Sequence, residues 1–369
     1  MSKLLEKMNT DKKEMTLGDV VTFHRGYDLP LTEIKKGTYP VVFSNGRKEY
    51  HNEFKVKAPG VFTGRSGSLG GMFYVEEDYW PHNTTLYVSD FHNNDPKYCY
   101  YFLSSFDFSK YNAGTGVPTL NRNHIHGIPV KIPSLPTQKK IAEILSAYDS
   151  KIENNNKIIK NLEATAQTIF NEWFINFRFP GHEKTKMVKS EMGDIPEGWE
   201  VFKLRDLFTF IKGKKPAEVS ETQKEGFLQQ ILIDSFENGK KLYADKQGMV
   251  VASDEDLLMV MDGASSGRIE FGITGIVGST MSKLQLHRPI RSILYFYLKS
   301  KEKDIKDNTS GSAIPHTDKE KVYGYELTLP KNTENFERTL LSFIKGVEKL
   351  NHENISLKSQ RDQLLAKLI

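Results

Sequence analysis

The sequence predicts an α+β protein of two tandem mixed α/β domains, each followed by a long coiled-coil helix. Three observations predict it. First, a set of short motifs occurs twice. Gly114-Thr115-Gly116-Val117-Pro118 returns as Gly311-Ser312-Ala313-Ile314-Pro315, and Val130-Lys131-Ile132-Pro133 as Leu327-Thr328-Leu329-Pro330, both 197 residues on. Leu17-Gly18-Asp19-Val20 with Gly26 is echoed 187 residues on by Leu204-Arg205-Asp206-Leu207 with Gly213. A period this long marks whole domains, not the roughly 20–50-residue units of a solenoid. Second, each copy alternates short β-rich runs with turn residues. Third, each copy is followed by apolar residues stepping by four and three, the heptad signature of a coiled-coil seam.

The elements follow in order. Residues 1–15 read as an N-terminal extension in which Lys and Glu alternate, without the apolar core of a signal peptide. Residues 16–135 form the first mixed domain, with strands expected at Tyr39–Phe43, Gly60–Thr63, Met72–Val75, Thr84–Val88 and Ile128–Ile132. A short helix is expected at Pro96–Phe106. Residues 136–178 form the central helix, whose seam runs Ile141, Leu145, Tyr148, Ile152, Asn155, Ile159, Leu162, Ala166, Ile169, Trp173. Pro136-Thr137 fits its start and Phe179-Pro180-Gly181 its stop. Its 38 or so residues would span ~57 Å. Residues 179–198 are polar, rich in Gly and Pro, and read as a linker.

Residues 199–332 form the second domain, with strands expected at Gln230–Ile233, Met249–Ala252, Leu257–Met261 and Leu284–Leu286 and a helix at Ile290–Ser300. Residues 333–369 form the C-terminal helix, with the seam Phe343, Val347, Leu350, Asn354, Leu357, Arg361, Leu364, Leu368. Each seam carries one asparagine near its middle, Asn155 and Asn354. They read either as tolerated polar residues on part-exposed helices or as a pair that bonds across antiparallel helices and sets their register.

Composition narrows the classes. A length of 369 residues allows two or three domains with their own cores, and 38% apolar with 27% charged residues is a globular balance. No apolar run reaches the roughly 18–20 residues of a membrane span. The single cysteine, Cys99, excludes an internal disulfide and a cysteine-rich metal site, and reads as an inert thiol in a reducing cytoplasm. Net charge is only +4, with 12 basic against 11 acidic residues in 16–133 and 19 against 19 in 199–330. A domain binding nucleic acid through bulk charge would show a basic excess, so any DNA contact must come from local clusters.

Catalytic signatures are missing from the sequence. There is no Gly-x-x-x-x-Gly-Lys-Ser/Thr loop, no Asn/Asp-Pro-Pro-Tyr segment for holding a flipped base, and no His-Glu-x-x-His zinc spacing. His24, His51, His82, His92, His124, His126 and His316 are scattered and read as surface or satisfied histidines. Gly64-Arg65-Ser66-Gly67-Ser68-Leu69-Gly70 admits three readings: a structural hairpin, a loop against the DNA backbone, or a phosphate cradle. Tyr27, Tyr50, Tyr74, Tyr79, Tyr111 and Tyr243 lie near turn signals, mostly as packing residues. No catalytic residue, metal site or cofactor is expected of the chain itself.

One stretch carries a family resemblance. Ile132-Pro133-Ser134-Leu135-Pro136-Thr137-Gln138-Lys139-Lys140-Ile141-Ala142-Glu143-Ile144-Leu145-Ser146 resembles the hallmark segment of specificity subunits of type I restriction-modification systems. Leu162-Glu163 through Asn171-Glu172-Trp173-Phe174 is similar to that family's central helix, and Met192-Gly193-Asp194-Ile195-Pro196-Glu197-Gly198-Trp199-Glu200 to its entry into the second recognition domain. In layout the resemblance spans the chain; in motif it spans about 50 residues. Lys331-Asn332-Thr333-Glu334-Asn335-Phe336-Glu337 departs from the Leu-Pro-x-Gln-Lys pattern of 135–139.

The resemblance implies two target-recognition domains, each reading half of a bipartite double-stranded DNA target through the major groove. The two helices would pair antiparallel, hold the domains in pseudo-twofold relation and act as a ruler. Half-sites one turn apart stand ~34–36 Å from each other. Two methyltransferase subunits would dock on the helices and restriction/translocase subunits would join them, in the cytoplasm and away from any membrane. Candidate DNA-contacting side chains are the basic or amide residues near loops: Arg25, Lys35, Arg47, Arg65, Asn121 and Arg122 in the first domain, and Lys212, Lys214, Lys215, Arg268, His316 and Lys319 in the second. Two other classes stand beside this reading. A tandem interaction scaffold that never touches DNA suits the near-neutral domains, and a self-contained nuclease or methyltransferase would need an active site that the sequence lacks.

Overall fold

The computed structural model describes residues 11–46, 48–191, 193–236, 241–271, 273–311 and 314–369. The candidate Arg47 lies outside them, as do Met192, Ser312 and Ala313 of the motifs above. The chain divides into two units, Met1–Asn156 with Asn351–Ile369, and Lys157–Leu350. Each unit therefore holds one mixed domain and part of both long helices.

In the first unit Thr16 and Asp19 form a capping box that starts the turn Leu17–Val20 and buries Leu17 and Val20. Its strands are β1 (Lys12–Thr16), β2 (Thr22–Arg25), β3 (Tyr39–Val42), β4 (Lys48–His51), β5 (Gly60–Gly64), β6 (Met72–Val75), β7 (Trp80–Pro81), β8 (Thr85–Asp90) and β9 (Pro129–Pro133). β2, β8, β5 and β6 form an antiparallel sheet in that order; β4, β3 and β7 form a second, with β3 and β7 parallel. Val61, Leu86 and Val88 share a core with Tyr98, Phe102 and Leu103 of the helix Pro96–Ser104. Cys99 is buried in that core, and burial pushes its thiol pKa up, so it stays protonated and inert.

Lys12–Met15, which its charges place in an extension, is part of β1, paired antiparallel with β9 from Lys12 opposite Pro133 to Thr16 opposite Pro129. A segment this short and polar shows no strand pattern of its own. Its backbone is satisfied only by a partner distant in sequence.

The second unit contains β10 (Met187–Ser190) and β11 (Gly193–Pro196), a hairpin inside the stretch read as linker. Then come β12 (Trp199–Lys203), β13 (Phe208–Lys212), β14 (Phe227–Ile231), β15 (Tyr243–Asp245), β16 (Val251–Ala252), β17 (Leu257–Val260), β18 (Ile269–Phe271), β19 (Gly275–Val277), β20 (Met281–Leu286) and β21 (Glu326–Pro330). β12 pairs with β21, as β1 does with β9. β13, β20, β17 and β18 repeat the four-stranded sheet; β15, β14, β19 and β16 repeat the second, again with one parallel pair, β14 and β19.

The repetition extends to single hydrogen bonds. Leu17 N–H donates to Ile128 O, and Leu204 N–H to Tyr325 O. Arg65 N–H donates to Thr84 O, and Met261 N–H to Thr280 O; Leu120 N–H donates to Arg65 O, and Thr317 N–H to Met261 O. One fold is built twice.

The glycine-rich loop after β5 is a hairpin connection, with Gly67 and Gly70 both at φ +89°. Arg65 and Ser66 N–H donate to Thr84 O and Gly67 N–H to Pro118 O, so these groups are spent inside the domain and cradle no phosphate. Gly263 N–H likewise donates to Pro315 O. In both domains this loop holds down the second repeated loop, whose Val117 or Ile314 is left exposed.

The central helix runs Leu135–Phe170 and the C-terminal helix Glu334–Leu368. At 36 residues the first is ~54 Å long. It ends in a π-helical turn, Asn171–Ile175, so Trp173 lies just past it, edge-on to Phe336. In the first unit Ile141 and Leu145 are buried with Leu368, and Leu364 packs on the same core. In the second unit Ala166 and Phe170 are buried with Leu340 and Ile344, and Leu162 closes on Gly346. Ile152 is buried, while Tyr148, Ile159, Leu162, Val347, Leu350 and Leu357 are half-buried. This graded stripe is what an antiparallel seam with open flanks produces.

Both seam asparagines are buried. Asn155 Nδ2 donates to Asn354 Oδ1 at 3.0 Å and to Glu353 Oε2 at 3.1 Å, and Asn354 Nδ2 donates to Asn156 Oδ1 at 2.9 Å. These bonds cross between the helices, which favours the register-setting reading. Asn155→Leu would strand the buried Asn354 oxygen, at a cost of about 1–3 kcal/mol. Replacing both asparagines with leucine is expected to restore most of that stability while removing the register signal. Thermal melting with cysteine cross-linking between the helices checks this: a single cross-link register in the double variant would refute the register role. No helix among the described residues is long and apolar enough to cross a membrane.

Candidate nucleic-acid interface

In the first domain the chain turns at Gly26, after β2, against the backbone of His82. This brings Arg25, Tyr27 and Asp28 beside the start of the β5–β6 loop. Arg25 Nη2 lies 3.5 Å from Asp28 Oδ1, and Asn83 Nδ2 donates to the same carboxylate oxygen. Arg65 Nη1 donates to Asn83 O at 3.2 Å. Its guanidinium pKa is lowered, first by burial and then by neighbouring Arg25. Beside them the Tyr27 and Tyr87 hydroxyls are 3.1 Å apart, with His24 edge-on to Tyr87. Two guanidiniums facing one carboxylate leave a local positive excess in a near-neutral domain. Several Arg N–H groups remain available for a phosphate or for guanine O6 and N7.

The structure thus brings Arg25 and Arg65 together. Sequence reasoning missed Asp28 and Asn83, which hold them; nothing in the spacing of Asp28, Arg65 and Asn83 signals a shared site. Tyr27 carried the one usable signal, an aromatic beside a turn. Lys35 is exposed elsewhere, and its N–H donates to His51 Nδ1. Asn121 is the N-cap of the short helix Arg122–His126 and accepts from Asn123 N–H. Arg122, the first residue of that helix, donates from Nη1 to Phe23 O at 3.3 Å, on the strand that carries Arg25.

In the second domain Lys212 and Lys319 stand where Arg25 and Arg122 stand in the first, by the same offsets of 187 and 197. Lys319 Nζ lies 5.6 Å from the centre of the Phe210 ring, and Phe210 is the counterpart of Phe23. Lys214 Nζ donates to Gly248 O at 3.2 Å, and Lys215 is exposed. His316 Nδ1 lies 2.6 Å from Asp262 Oδ1, which leaves Nε2 as an acceptor in the neutral ring. Arg268 is engaged by Glu270 at 2.5 Å, a pair half-closed to solvent that draws its guanidinium inward. Among the described residues no three His, Cys, Asp or Glu side chains converge as a metal site requires.

One internal bond shows how the copies diverge without losing geometry. Phe23 N–H donates to His126 Nε2 at 3.1 Å, and Phe210 N–H donates to the Tyr323 hydroxyl at 2.9 Å. Burial, with Arg122 nearby, lowers the His126 pKa. A histidine whose folded pKa is depressed contributes stability above its unfolded value of about 6.5 and loses it as pH falls below that. His126→Tyr, which copies the second domain, is expected to flatten the acid limb of the first domain's melting profile between about pH 7 and 5. An unchanged difference between those pH values would rule the bond out as the cause.

A model of the type I restriction modification DNA specificity domain matches the chain twice, over residues 9–164 and 196–358. The MjaVIII type I restriction enzyme specificity subunit of Methanocaldococcus jannaschii is 32% identical over 170 residues, 42% of this chain and 40% of that protein's length. A Mycoplasma pneumoniae protein provisionally named a type I specificity subunit is 25% identical over 382 residues, covering 98% of this chain and 97% of its own. The crystal structure of a type I restriction-modification S subunit from M. genitalium superposes with a TM-score of 0.66 at 18% identity, covering 97% of this chain and 96% of that one, which shows a shared fold. With both halves matched by the same domain model and the hallmark segment in place at 132–146, the chain belongs to the family of type I restriction-modification DNA specificity subunits.

Proposed function

We propose that this chain is the non-catalytic subunit that selects the DNA target of a type I restriction-modification complex. Residues 16–135 and 199–332 each read one half of a bipartite double-stranded sequence. The helices 136–178 and 333–369 set the spacing of the halves and dock two methyltransferase subunits, through which restriction/translocase subunits join. The adenine chemistry belongs to the partners.

One observation carries this reading. Two copies of one scaffold share a set of backbone bonds at matched offsets, while the side chains at equivalent surface positions differ: Arg25 against Lys212, Tyr27 against Lys214, Arg122 against Lys319. Repeated frames with divergent side chains suit two readers of different half-sites. The near-neutral charge of both domains favours a second reading, a protein-binding scaffold. Salt separates the two, because phosphate contacts make affinity fall steeply with ionic strength.

The test is co-expression with the methyltransferase encoded beside this chain, followed by genome-wide mapping of adenine methylation. A split motif with two fixed parts and one gap length is the expected result. Exchange of residues 16–135 for those of a relative should then change one half only. A stable complex that methylates nothing would favour the scaffold.

A further inference from the structure

The two long helices enter their domains through equivalent side chains that differ in charge. Gln138 and Glu337 occupy the same place at an offset of 199, where Gln138 N–H donates to Ser134 O and Glu337 N–H to Thr333 O. Gln138 is buried. Its Oε1 accepts from Asp95 N–H at 2.9 Å, and its Nε2 donates to Asn94 Oδ1 at 2.7 Å and Pro133 O at 3.0 Å. Glu337 accepts from Ser292 N–H with both oxygens, at 2.8 and 3.0 Å, and from Ile293 N–H at 3.1 Å. Each thus grips the start of the helix that packs under its own domain's sheet, Pro96–Ser104 in one and Arg291–Asp307 in the other.

The change from amide to carboxylate has a local cause. Asp95 is the N-cap of the first of those helices, and its carboxylate accepts from Tyr98 N–H at 2.8 Å. The cap residue of the second is Ile290, buried and without a side-chain acceptor. The open N–H groups of its first turn, and the positive end of its dipole, are met by Glu337 from the neighbouring helix. In the first domain an added carboxylate would face the Asn94 and Pro133 oxygens, so the neutral amide fits. The departure of 331–337 from the Leu-Pro-x-Gln-Lys pattern of 135–139 is therefore a compensation for a missing cap, and the contact itself is kept.

We propose that Gln138 and Glu337 are the joints that fix the angle of each recognition domain on its own segment of the helix pair, and that this angle restricts the complex to one gap length between half-sites. The gap-length part rests on the function proposed above. Gln138 and Glu337 are positioning residues: neither touches DNA, and each acts through the domain helix it grips.

The test uses the full chain in complex with its methyltransferase and the near-isosteric variant Glu337→Gln, with Glu334→Gln, exposed on the same helix, as control. Spin labels at Lys303→Cys and Lys345→Cys report the domain-to-helix distance within the second unit; buried Cys99 stays unlabelled. The expected result is a distance distribution at least half as wide again in Glu337→Gln and unchanged in Glu334→Gln. In methylation maps the share of sites with a gap one base pair longer or shorter should rise at least tenfold, with both half-site sequences intact. Gln138→Ala should do the same from the other domain. An unchanged distance width, or a uniform loss of methylation that tracks a lowered melting temperature with the gap unaltered, would overturn the proposal. If the unmodified complex shows no split motif, the functional reading falls, while the spin-label width still decides the joint.

Discussion

Alanine at Gly26 or Gly213 is expected to destabilise the domain that carries it while leaving the other domain's transition in place. An added Cβ at Gly26 would stand 2.1 Å from His82 O and 2.6 Å from Pro81 O; at Gly213 it would stand 2.1 Å from Gly278 O and 2.4 Å from Val277 O. These are backbone atoms of the parallel-paired strands β7 and β19 and their following turns, so no rotamer can relieve the clash. The glycine N–H groups also donate into the next strand, to Thr85 O and Met281 O, which fixes the crossing from the other side. Overpacking costs about 1–3 kcal/mol, and a clash with fixed backbone belongs at the upper end, about 3 kcal/mol. For a domain of this size that lowers one transition by roughly 6–12 °C. Calorimetry of the full chain checks it: a shift below about 2 °C would mean that the strands move apart easily, and that the repeated glycines are not there for close approach.

Arg65→Ala is expected to weaken DNA binding by the assembled complex about tenfold to a hundredfold, as loss of one bidentate Arg–guanine pair would. Arg65 is held toward Arg25 by Asn83 O, so its removal also frees Asp28 to neutralise Arg25 fully. Binding to the matching target and to a target altered in one half-site separates base reading from phosphate contact. Loss of discrimination at one half-site assigns Arg65 to a base. An equal loss on both targets, with a shallower salt dependence, assigns it to the backbone. Undiminished affinity would remove Arg65 from the interface.

Much of the architecture was legible because it rests on periodicity. The seams from Ile141 and from Phe343 announce long helices, since a one-sided apolar stripe needs only the residues of one segment. The repeated loops at 114–118 and 311–315 announced two domains for the same reason. The strand expected at Gln230–Ile233 instead spans Phe227–Ile231, because Leu232 N–H turns aside to Ser235 Oγ. The helix expected at Ile290–Ser300 runs on to Asp307, because Ile305 is buried against Gly267 while its charged neighbours mask the pattern.

The candidate site was legible in part. Basic residues beside turn signals are visible in any sequence, and Arg25, Arg65, Lys212 and Lys319 stand as candidates on that ground. Their grouping was not visible. Asp28, Asn83 and Arg65 come from separate connections, and only pairing between strands distant in sequence sets them side by side. Arg268 shows the converse: its position looked open, yet Glu270, two residues on in β18, takes it.

By itself the sequence determined that one domain occurs twice, that each copy leads into a seam-bearing helix, and which family the hallmark at 132–146 resembles. These are properties of contiguous residues, written in spacing and local propensity. Only the tertiary structure decided that Lys12–Thr16 is a strand, that Arg65, Ser66 and Gly67 of the glycine-rich loop spend their N–H groups within the fold, and that Glu337 replaces Gln138 to cap a helix whose own cap is Ile290. Each of these depends on which distant backbone group lies opposite, and a linear pattern does not encode that partner.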